Sequence, residues 1–452
     1  MNALQLWHFH LNWCYHKIPN MKVLKSTRIS PFGGLNFVIE QLEQLGIGDL
    51  LKKELPELSP QCKYSWKDLL YSFWGIFFCG GDCIEDLSSH LKIVFESNPM
   101  VKLPSPDRVL DRMKELAVPQ NEFTAPRGTS KHFFSINTDM NRLNLKILKL
   151  LSQPELEKEV VLDYDNTLIY NKKSDSLMTY KKQFGYAPGV GIIGHNIVYV
   201  ENRNGNSAAA NLQDETLERM FSLLKEESIK VDCFRADAAS YRRLTLKTII
   251  ENSNKFYIRA VMSDTLDEAI KQIENWEKIE LENEIAYRGS TMFTPFEKIA
   301  KRIKASEKFK PYRLVVTKIK RSDGQINMYT GEACNYSAIL TNDMEKNDDE
   351  IVDFYNQRGA AEKEFDILKN DFGWDNMPFS KLESNTVFLI FTAICRNIYN
   401  KIIQIFSLKV EELLPKFRIK KFIFRFICTP AKWIKSGRTY KLRLYGEIAF
   451  KT

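Results

Sequence analysis

The sequence predicts an α/β protein: a mixed sheet flanked by helices, preceded by an all-helical N-terminal domain and interrupted by a mixed, partly β insertion. Three observations support this. From residue 159 to 261, apolar runs of strand length alternate with stretches of helical period, as in a sheet with helical crossovers. Between residues 31 and 119 the apolar period is helical. Between 262 and 345 a charged, mixed segment interrupts the rhythm, which resumes where YSAILTND, a strand ending in a loop, hands the chain to a helix.

Taken in order, residues 1–30 show no clear periodicity and read as a peripheral segment. His8, His10, Cys14 and His16 are metal-ligand types there, but no second half of a site accompanies them. Leu35, Val38, Ile39, Leu42 and Leu45 follow helical spacing, and Ser65 to Leu87 is a second, aromatic-rich helical stretch broken at Gly80-Gly81. SPDRVLDRMKEL starts a third helix, with Ser105 as cap and Pro106 at its first position. Residues 31–119 therefore form a helical domain, suited either to packing or to reading DNA. Residues 120–137, with Pro126 and Gly128, read as a linker. The first part of the core covers 138–261, with strands at 159–170, 189–203, 230–239 and 255–261 and helices at QDETLERMFSLLKEE and LTLKTIIENS. The insertion covers 262–345, and within it YRLVVTKIKR and QINMYT read as a hairpin turning at Ser322-Asp323-Gly324. The second part of the core, 346–407, opens on a helix capped by Asn347 and Glu350 and holds a long helix near 382–406. Residues 408–452 are a basic C-terminal segment.

At 452 residues, with 44% hydrophobic and 27% charged residues, the chain has the composition of a globular protein of two or three domains. Eight Cys without a Cys-x2-Cys pair fit reduced thiols rather than a disulfide framework or a zinc site. The N-terminus lacks the basic stretch of a signal peptide. The longest apolar run, VFLIFTAIC at 387–395, falls far short of the roughly 20 residues that span a bilayer and reads as a buried helix. A cytoplasmic protein without membrane contact is expected. The formal charge of +8 is unevenly spread, with ten Lys or Arg and no Asp or Glu from Lys416 to Arg443. That tail suits a polyanion, or is simply a solvated basic end.

The candidate chemistry concentrates in DFYNQRGAAEKEFDILKN, Asp353 to Asn370. At roughly 100° per residue, a helix brings Tyr355, Arg358, Glu362 and Lys369 within about 60° of one another. Glu364, about 180° from Glu362, is expected to face away. Gly359 is expected to mark the close approach of a neighbouring strand or of a DNA backbone. Upstream, Asp163 and Asp165 lie two apart on one strand, so both can face the same side of the sheet, and Asp237 lies near the end of another. Two strand-end aspartates and one helical glutamate supply the carboxylate oxygens that a pair of hard divalent cations needs. Each also has a plain structural reading: a helix cap for Asp163 or Asp237, a solvated surface for Glu362.

Tyr-x2-Arg-x3-Glu-x6-Lys resembles the signature of DDE transposases from bacterial insertion sequences. Longer stretches resemble the transposase DDE domain group 1 family: ISPFGGLNF, LPSPDRVLDRM, DYDNT, GYAPGVGIIG, YVENRNGNSAA, FRADAASY and YNQRGAAEKEFDILK, spread between residues 29 and 440. The resemblance implies an RNase H-like sheet. It implies that Asp165, which directly precedes Asn-Thr, Asp237 and Glu362 are the catalytic, metal-binding acids, and that Tyr355, Arg358 and Lys369 contact transposon-end DNA. The implied cofactor is a pair of Mg2+ ions, with Mn2+ able to substitute. The implied activity is cut-and-paste DNA transposition of an insertion sequence, by strand cleavage and strand transfer between terminal inverted repeats and target DNA. A homodimer in the DNA complex and a place at the bacterial nucleoid go with it. Asp163 is left without a role. One departure stands out: related enzymes carry a Trp in the insertion that stacks on an extruded base, and no Trp lies between Trp276 and Trp374 here, leaving Tyr336 or Tyr329 as substitutes.

DYDNTL also fits the Asp-x-Asp-x-Thr motif of haloacid-dehalogenase-like phosphatases, with Asp163 as nucleophile and Asp165 as general acid. That reading needs a later acidic pair, and after FRAD the next acid is Glu251. A third reading is a catalytically inactive, transposase-derived DNA-binding protein; the presence of all three acids weighs against it.

Overall fold

The computed structural model describes residues 29–448 except 97, 125–128, 282–283, 305–308 and 322. The group His8, His10, Cys14 and His16 lies outside the described residues, as does Ser322 of the expected turn.

Four helices carry most of the N-terminal packing: α1 (Leu35–Gln44), α2 (Ile47–Glu54), α3 (Trp66–Phe78) and α4 (Pro106–Glu115). Ser65 and Asp68 form a capping box on α3, and Ser105 caps α4 with Pro106 at its start. WKDLLYSFWGIFF is apolar on nearly every side, so α3 must be enclosed. What encloses it comes from the other end of the chain: the long helix Leu382–Lys409, whose Phe391 carbonyl accepts a 3.0 Å bond from the Trp74 indole. By length and composition that helix could cross a membrane, yet 94% of its most apolar stretch is buried inside the protein, so it is a core helix.

The sheet follows in sequence. β1 (Asn121–Thr124) and β2 (Lys131–Ser135) precede α5 (Thr138–Leu150) and β3 (Val161–Asn166). A small three-stranded sheet, β4 (Ile169–Tyr170), β5 (Leu177–Met178) and β6 (Phe184–Tyr186), leads into β7 (Gly189–Ile193) and β8 (Asn196–Arg203). Then come α6 (Gln213–Glu226), β9 (Cys233–Ala236), α7 (Arg243–Asn252) and β10 (Lys255–Ala260). Five of these strands lie in the order β8-β7-β3-β9-β10, with β7 antiparallel to both β3 and β8, and β3, β9 and β10 parallel. This is the order and direction of an RNase H-like sheet. One face is covered by the N-terminal helices together with the long helix, the other by α6 and α7.

Four stretches differ from the sequence reading. Residues 121–135, expected as part of a linker, pair as β1 and β2 and dock on β8, because Phe134 is fully buried under the Arg203 guanidinium, 4.5 Å from its ring centroid. GVGIIGHNIVYVENR is two strands, since Gly194 takes a left-handed turn (φ 62°) that folds β8 back on β7. The segment 262–345 extends the central sheet: β14 (Cys334–Thr341) pairs with β10, followed outward by β13 (Tyr312–Lys320), β12 (Glu284–Phe293) and β11 (Glu277–Leu281). Among the described residues eleven strands thereby join in one sheet. The partner of β13 is β14 and not QINMYT, because CNYSAILT can bury Ala338 and Leu340, whereas Ile326 and Met328 stay 66% and 88% exposed.

Candidate active site

β3 and β9 run parallel with Tyr164 opposite Ala236. Asp165 and Asp237 are the next residues on each, so they leave the C-terminal ends of neighbouring strands side by side, on backbones about 4.8 Å apart. Asp237 caps a short turn, its Oδ1 accepting from the Ala239 N–H at 2.9 Å. The cap expected of it thus exists and occupies one of its oxygens. Asp165 accepts from the Asn166 N–H at 2.8 Å and, through Oδ2, from Arg358 Nη1 at 2.8 Å. Burial, and then the negative charge of Asp237, hold the Asp165 carboxyl above the usual carboxylate range, against the pull of Arg358.

Asp163 lies on the same face, two residues deeper and 4% exposed. Arg235 of β9 donates to it twice, both at 2.7 Å, and with its remaining nitrogen to the Phe354 carbonyl at 2.7 Å. This fork ties β3, β9 and the helix that follows β14 together and engages both Asp163 oxygens as a buried structural ion pair. The phosphatase reading finds no support there. Arg235 went unnoticed in the sequence; the signal was a charged residue in the middle of a strand otherwise buried.

The motif expected as one helix is α8 (Asp348–Asn356), a tighter 3-10 turn at Gln357–Gly359, and α9 (Ala360–Asp371). The Asn347–Glu350 capping box opens α8 as expected. A Cβ on Gly359 would meet nothing within 4 Å, so no strand among the described residues approaches there; the glycine lies where the helix tightens into a 3-10 turn. Tyr355 is buried among Tyr257, Ile339 and Ile351, with the Arg358 guanidinium 6.0 Å from its ring centroid. Glu362 is exposed. Lys369 donates to the Leu168 carbonyl at 2.8 Å, three residues past Asp165, and its burial lowers its pKa. Arg358 and Lys369 therefore hold the end of β3 from either side of Glu362 along the helix. The three acids are not drawn into a cluster with all donor atoms within 4.8 Å; among the described residues, Asp82, Cys83 and Asp86 are such a group.

Glu364 does point away from Glu362, but into the interior: it is 2% exposed and bound by Arg396 and His195. Of the proposed base-stacking substitutes, Tyr336 donates to Glu332 at 2.5 Å and Tyr329 is 41% exposed. Trp276 itself packs under Lys318, 4.3 Å from its ring.

An RNase H-like sheet with acids at the ends of its two central parallel strands, and a further acid on the helix that packs beside them, defines a class of enzymes that break and form phosphodiester bonds in nucleic acids. The chain belongs, within that class, to the transposase DDE domain group 1 family, whose model matches residues 24–452. It is accordingly a transposase, an enzyme that cuts DNA and transfers its strands, of a kind that depends on a divalent metal. Solved structures similar to it include the piggyBac transposase synaptic complex with hairpin DNA, at 11% identity over 88% of this chain and 80% of that one, TM-score 0.41. The Mos1 mariner paired-end complex with Mn is similar at 13% identity over 56% and 75%, TM-score 0.16, and the Mos1 strand transfer complex at 15% over 58% and 77%, TM-score 0.18. These are distant likenesses, and the assignment rests on the family match. No curated protein matches the chain.

Proposed function

We propose that Asp165, Asp237 and Glu362 are the catalytic acids of cut-and-paste transposition of a bacterial insertion sequence, and that they hold two Mg2+ ions, with Mn2+ able to substitute. The observation that carries this is the placement of Asp165 beside Asp237 with the Glu362 helix joined to Asp165 through Arg358. An all-oxygen donor set suits a hard cation, and burial and then the repulsion between the two aspartates, which together raise the Asp165 carboxyl, are what such a charge offsets. Bound divalent metal would supply Lewis-acid activation of water and of a 3′-hydroxyl. The chain's own part is positioning. Arg358, freed from Asp165, grips a phosphate beside the scissile bond; Lys369 grips one on the other side; Tyr355, buried beneath Arg358, steadies that guanidinium and reaches DNA only through its hydroxyl. The helical residues 31–119 are the proposed DNA reader, and a homodimer in the cytoplasm, at the nucleoid, is the proposed acting form on terminal inverted repeats and target DNA.

Chelation tests the reading directly. Cleavage of a duplex carrying the element's own ends should stop in EDTA and return with Mg2+ or Mn2+; cleavage that persists in EDTA refutes it. The cation roles make a separate prediction. Arg358→Ala and Lys369→Ala should each lower the slope of log affinity against log salt by about 0.9 on cleaved-end DNA. Unchanged slopes in both would show that this face of the helix does not meet DNA.

A further inference from the structure

The basic C-terminal stretch divides into a partly neutralised half, in which Lys416 and Lys421 have no ion pair with a described carboxylate, and an open half. Arg418 binds Asp366 and Asp371, Lys420 binds Asp371, and Arg425 binds Glu412. These cations are spent on holding the C-terminal segment to α9 and to the end of the long helix. The open half is a separate two-stranded hairpin, β15 (Ala431–Ser436) and β16 (Thr439–Leu444), turning at Gly437 (φ 62°) and Arg438. Lys432, Lys435, Arg438, Lys441 and Arg443 all lie on it, none ion-paired with a described carboxylate, and no Asp or Glu occurs between Glu412 and Glu447.

The register sorts these residues by face. Lys432 is opposite Arg443, Ile434 opposite Lys441 and Ser436 opposite Thr439, so Lys432, Lys441, Arg443, Ile434 and two hydroxyls share one face. The other face carries Ala431, Trp433, Leu442 and Leu444, with Lys435 and Tyr440 towards the tip. That apolar face is the anchored one: the Trp433 indole donates to Asn36 of α1 at 2.9 Å, and Ala431 bridges to Ser30. The Cβ of Ala431 already lies where a Cβ on Gly33 would fall, at 2.3 Å, so the hairpin's base sits tight against the body. Two cations directly opposite each other on an exposed ribbon repel. A ribbon pinned by its apolar face and loaded with unpaired cations on the other is arranged to receive a polyanion.

We propose that the cationic face of the β15–β16 hairpin is a sequence-independent clamp on the phosphate backbone of duplex DNA, distinct from the Arg358 and Lys369 contacts. It rests on the transposase reading for the identity of the polyanion. Lys441 and Arg443 are two residues apart on one strand, about 6.8 Å, and Lys432 lies across from Arg443, so three phosphates are within the reach of one face.

The test uses the full chain and a short random-sequence duplex, without divalent metal, so that it does not depend on catalysis. Equilibrium binding across a salt series should show the triple variant Lys432→Ser, Lys441→Ser, Arg443→Ser with a slope shallower by about 2.7, at about 0.9 per lost phosphate contact. A control double variant, Arg142→Ser with Lys149→Ser, removes cations already held by Glu226, Asp139 and Glu227 and should leave the slope unchanged. Thermal melting of the triple variant should match the wild type, because only exposed or half-exposed side chains change and a like-charge pair is relieved. An unchanged slope in the triple variant, or an equal loss in the control, overturns the clamp. So does a triple variant that loses binding to phosphatidylserine vesicles while keeping its DNA slope, which would make the surface a membrane contact. A wild type that cleaves its ends while the triple variant keeps the full slope removes the hairpin proposal alone; a wild type that neither binds duplex nor cleaves it removes the transposition reading as well.

Discussion

Asp165→Asn, Asp237→Asn and Glu362→Gln should each lower the rate of DNA strand cleavage by on the order of 10^3-fold or more, while binding to end DNA stays within a few-fold of wild type. The magnitude follows from what such sites do: most of the acceleration in phosphoryl transfer comes from charge fixed at the reacting oxygens, and losing one element of that charge costs about 10^2 to 10^5. Binding survives because it is carried by cations spread over the surface, none of which changes. The three substitutions will not behave alike in the absence of DNA. Asp165→Asn keeps a side chain that can still accept from Arg358, yet removes the charge that Asp237 opposes, so the metal-free variant should be at least as stable as the wild type. Asp237→Asn keeps an oxygen to cap Ala239. Glu362→Gln touches an exposed position and should be neutral for folding. Full cleavage by any one of them, assayed beside binding on the same DNA, would remove that residue from the site.

That Asp165 lies in a strand, Asp237 at the end of one and Glu362 on a helix was legible in the sequence because the constraint is local. Asp165 and Asp237 lie in apolar runs of strand length, and the spacing of Arg358, Glu362 and Lys369 fits one helical face without any knowledge of what packs on it. What stayed hidden depended on distant pairing. Nothing in YRLVVTKIKR says that its partner is CNYSAILT rather than the nearer QINMYT; the choice is made by burial of Ala338 and Leu340 in a sheet where CNYSAILT also pairs with β10, a strand far upstream that begins at Lys255. The insertion therefore looked like a separate body, although it continues the sheet. Gly194 was read as one glycine among several in a strand, and only its left-handed φ makes it the corner between β7 and β8. The basic tail showed as charge, without the register that gathers three of its cations on one face. Helical period told which side of α9 Glu364 occupies, but a residue opposite a functional face is as apt to meet the core as the solvent.

Glu364→Ala should therefore be among the most damaging substitutions in this helix for stability, at about 3–5 kcal/mol, the usual result of leaving one partner of a buried ion pair alone. Glu364 accepts from Arg396 Nε at 3.0 Å and Nη2 at 3.2 Å, and meets His195 Nδ1 at 2.9 Å. Arg396 also reaches Asn400, and Asn400 donates to the His195 carbonyl at 2.8 Å. One carboxylate thus joins α9, the long helix Leu382–Lys409 and the β7–β8 turn directly behind the Glu362 face. Without it the Arg396 guanidinium, 7% exposed, keeps its charge and loses its only carboxylate contact among the described residues. Chemical denaturation should show the loss in Glu364→Ala and none in Glu362→Gln, the reverse of their ranking in the cleavage assay. A pH series gives a second handle. The hydrogen bond to Glu364 raises the His195 pKa, so the stability it contributes is fully present below the unfolded value of about 6.5 and fades as pH rises through the folded value. His195 is largely exposed, which keeps that contribution small. Wild type should lose this increment as pH rises above about 6.5 and Glu364→Ala should not. If Glu364→Ala unfolds at the wild-type denaturant concentration, or shows the wild-type pH dependence across that window, the carboxylate is not what holds α9 against the core.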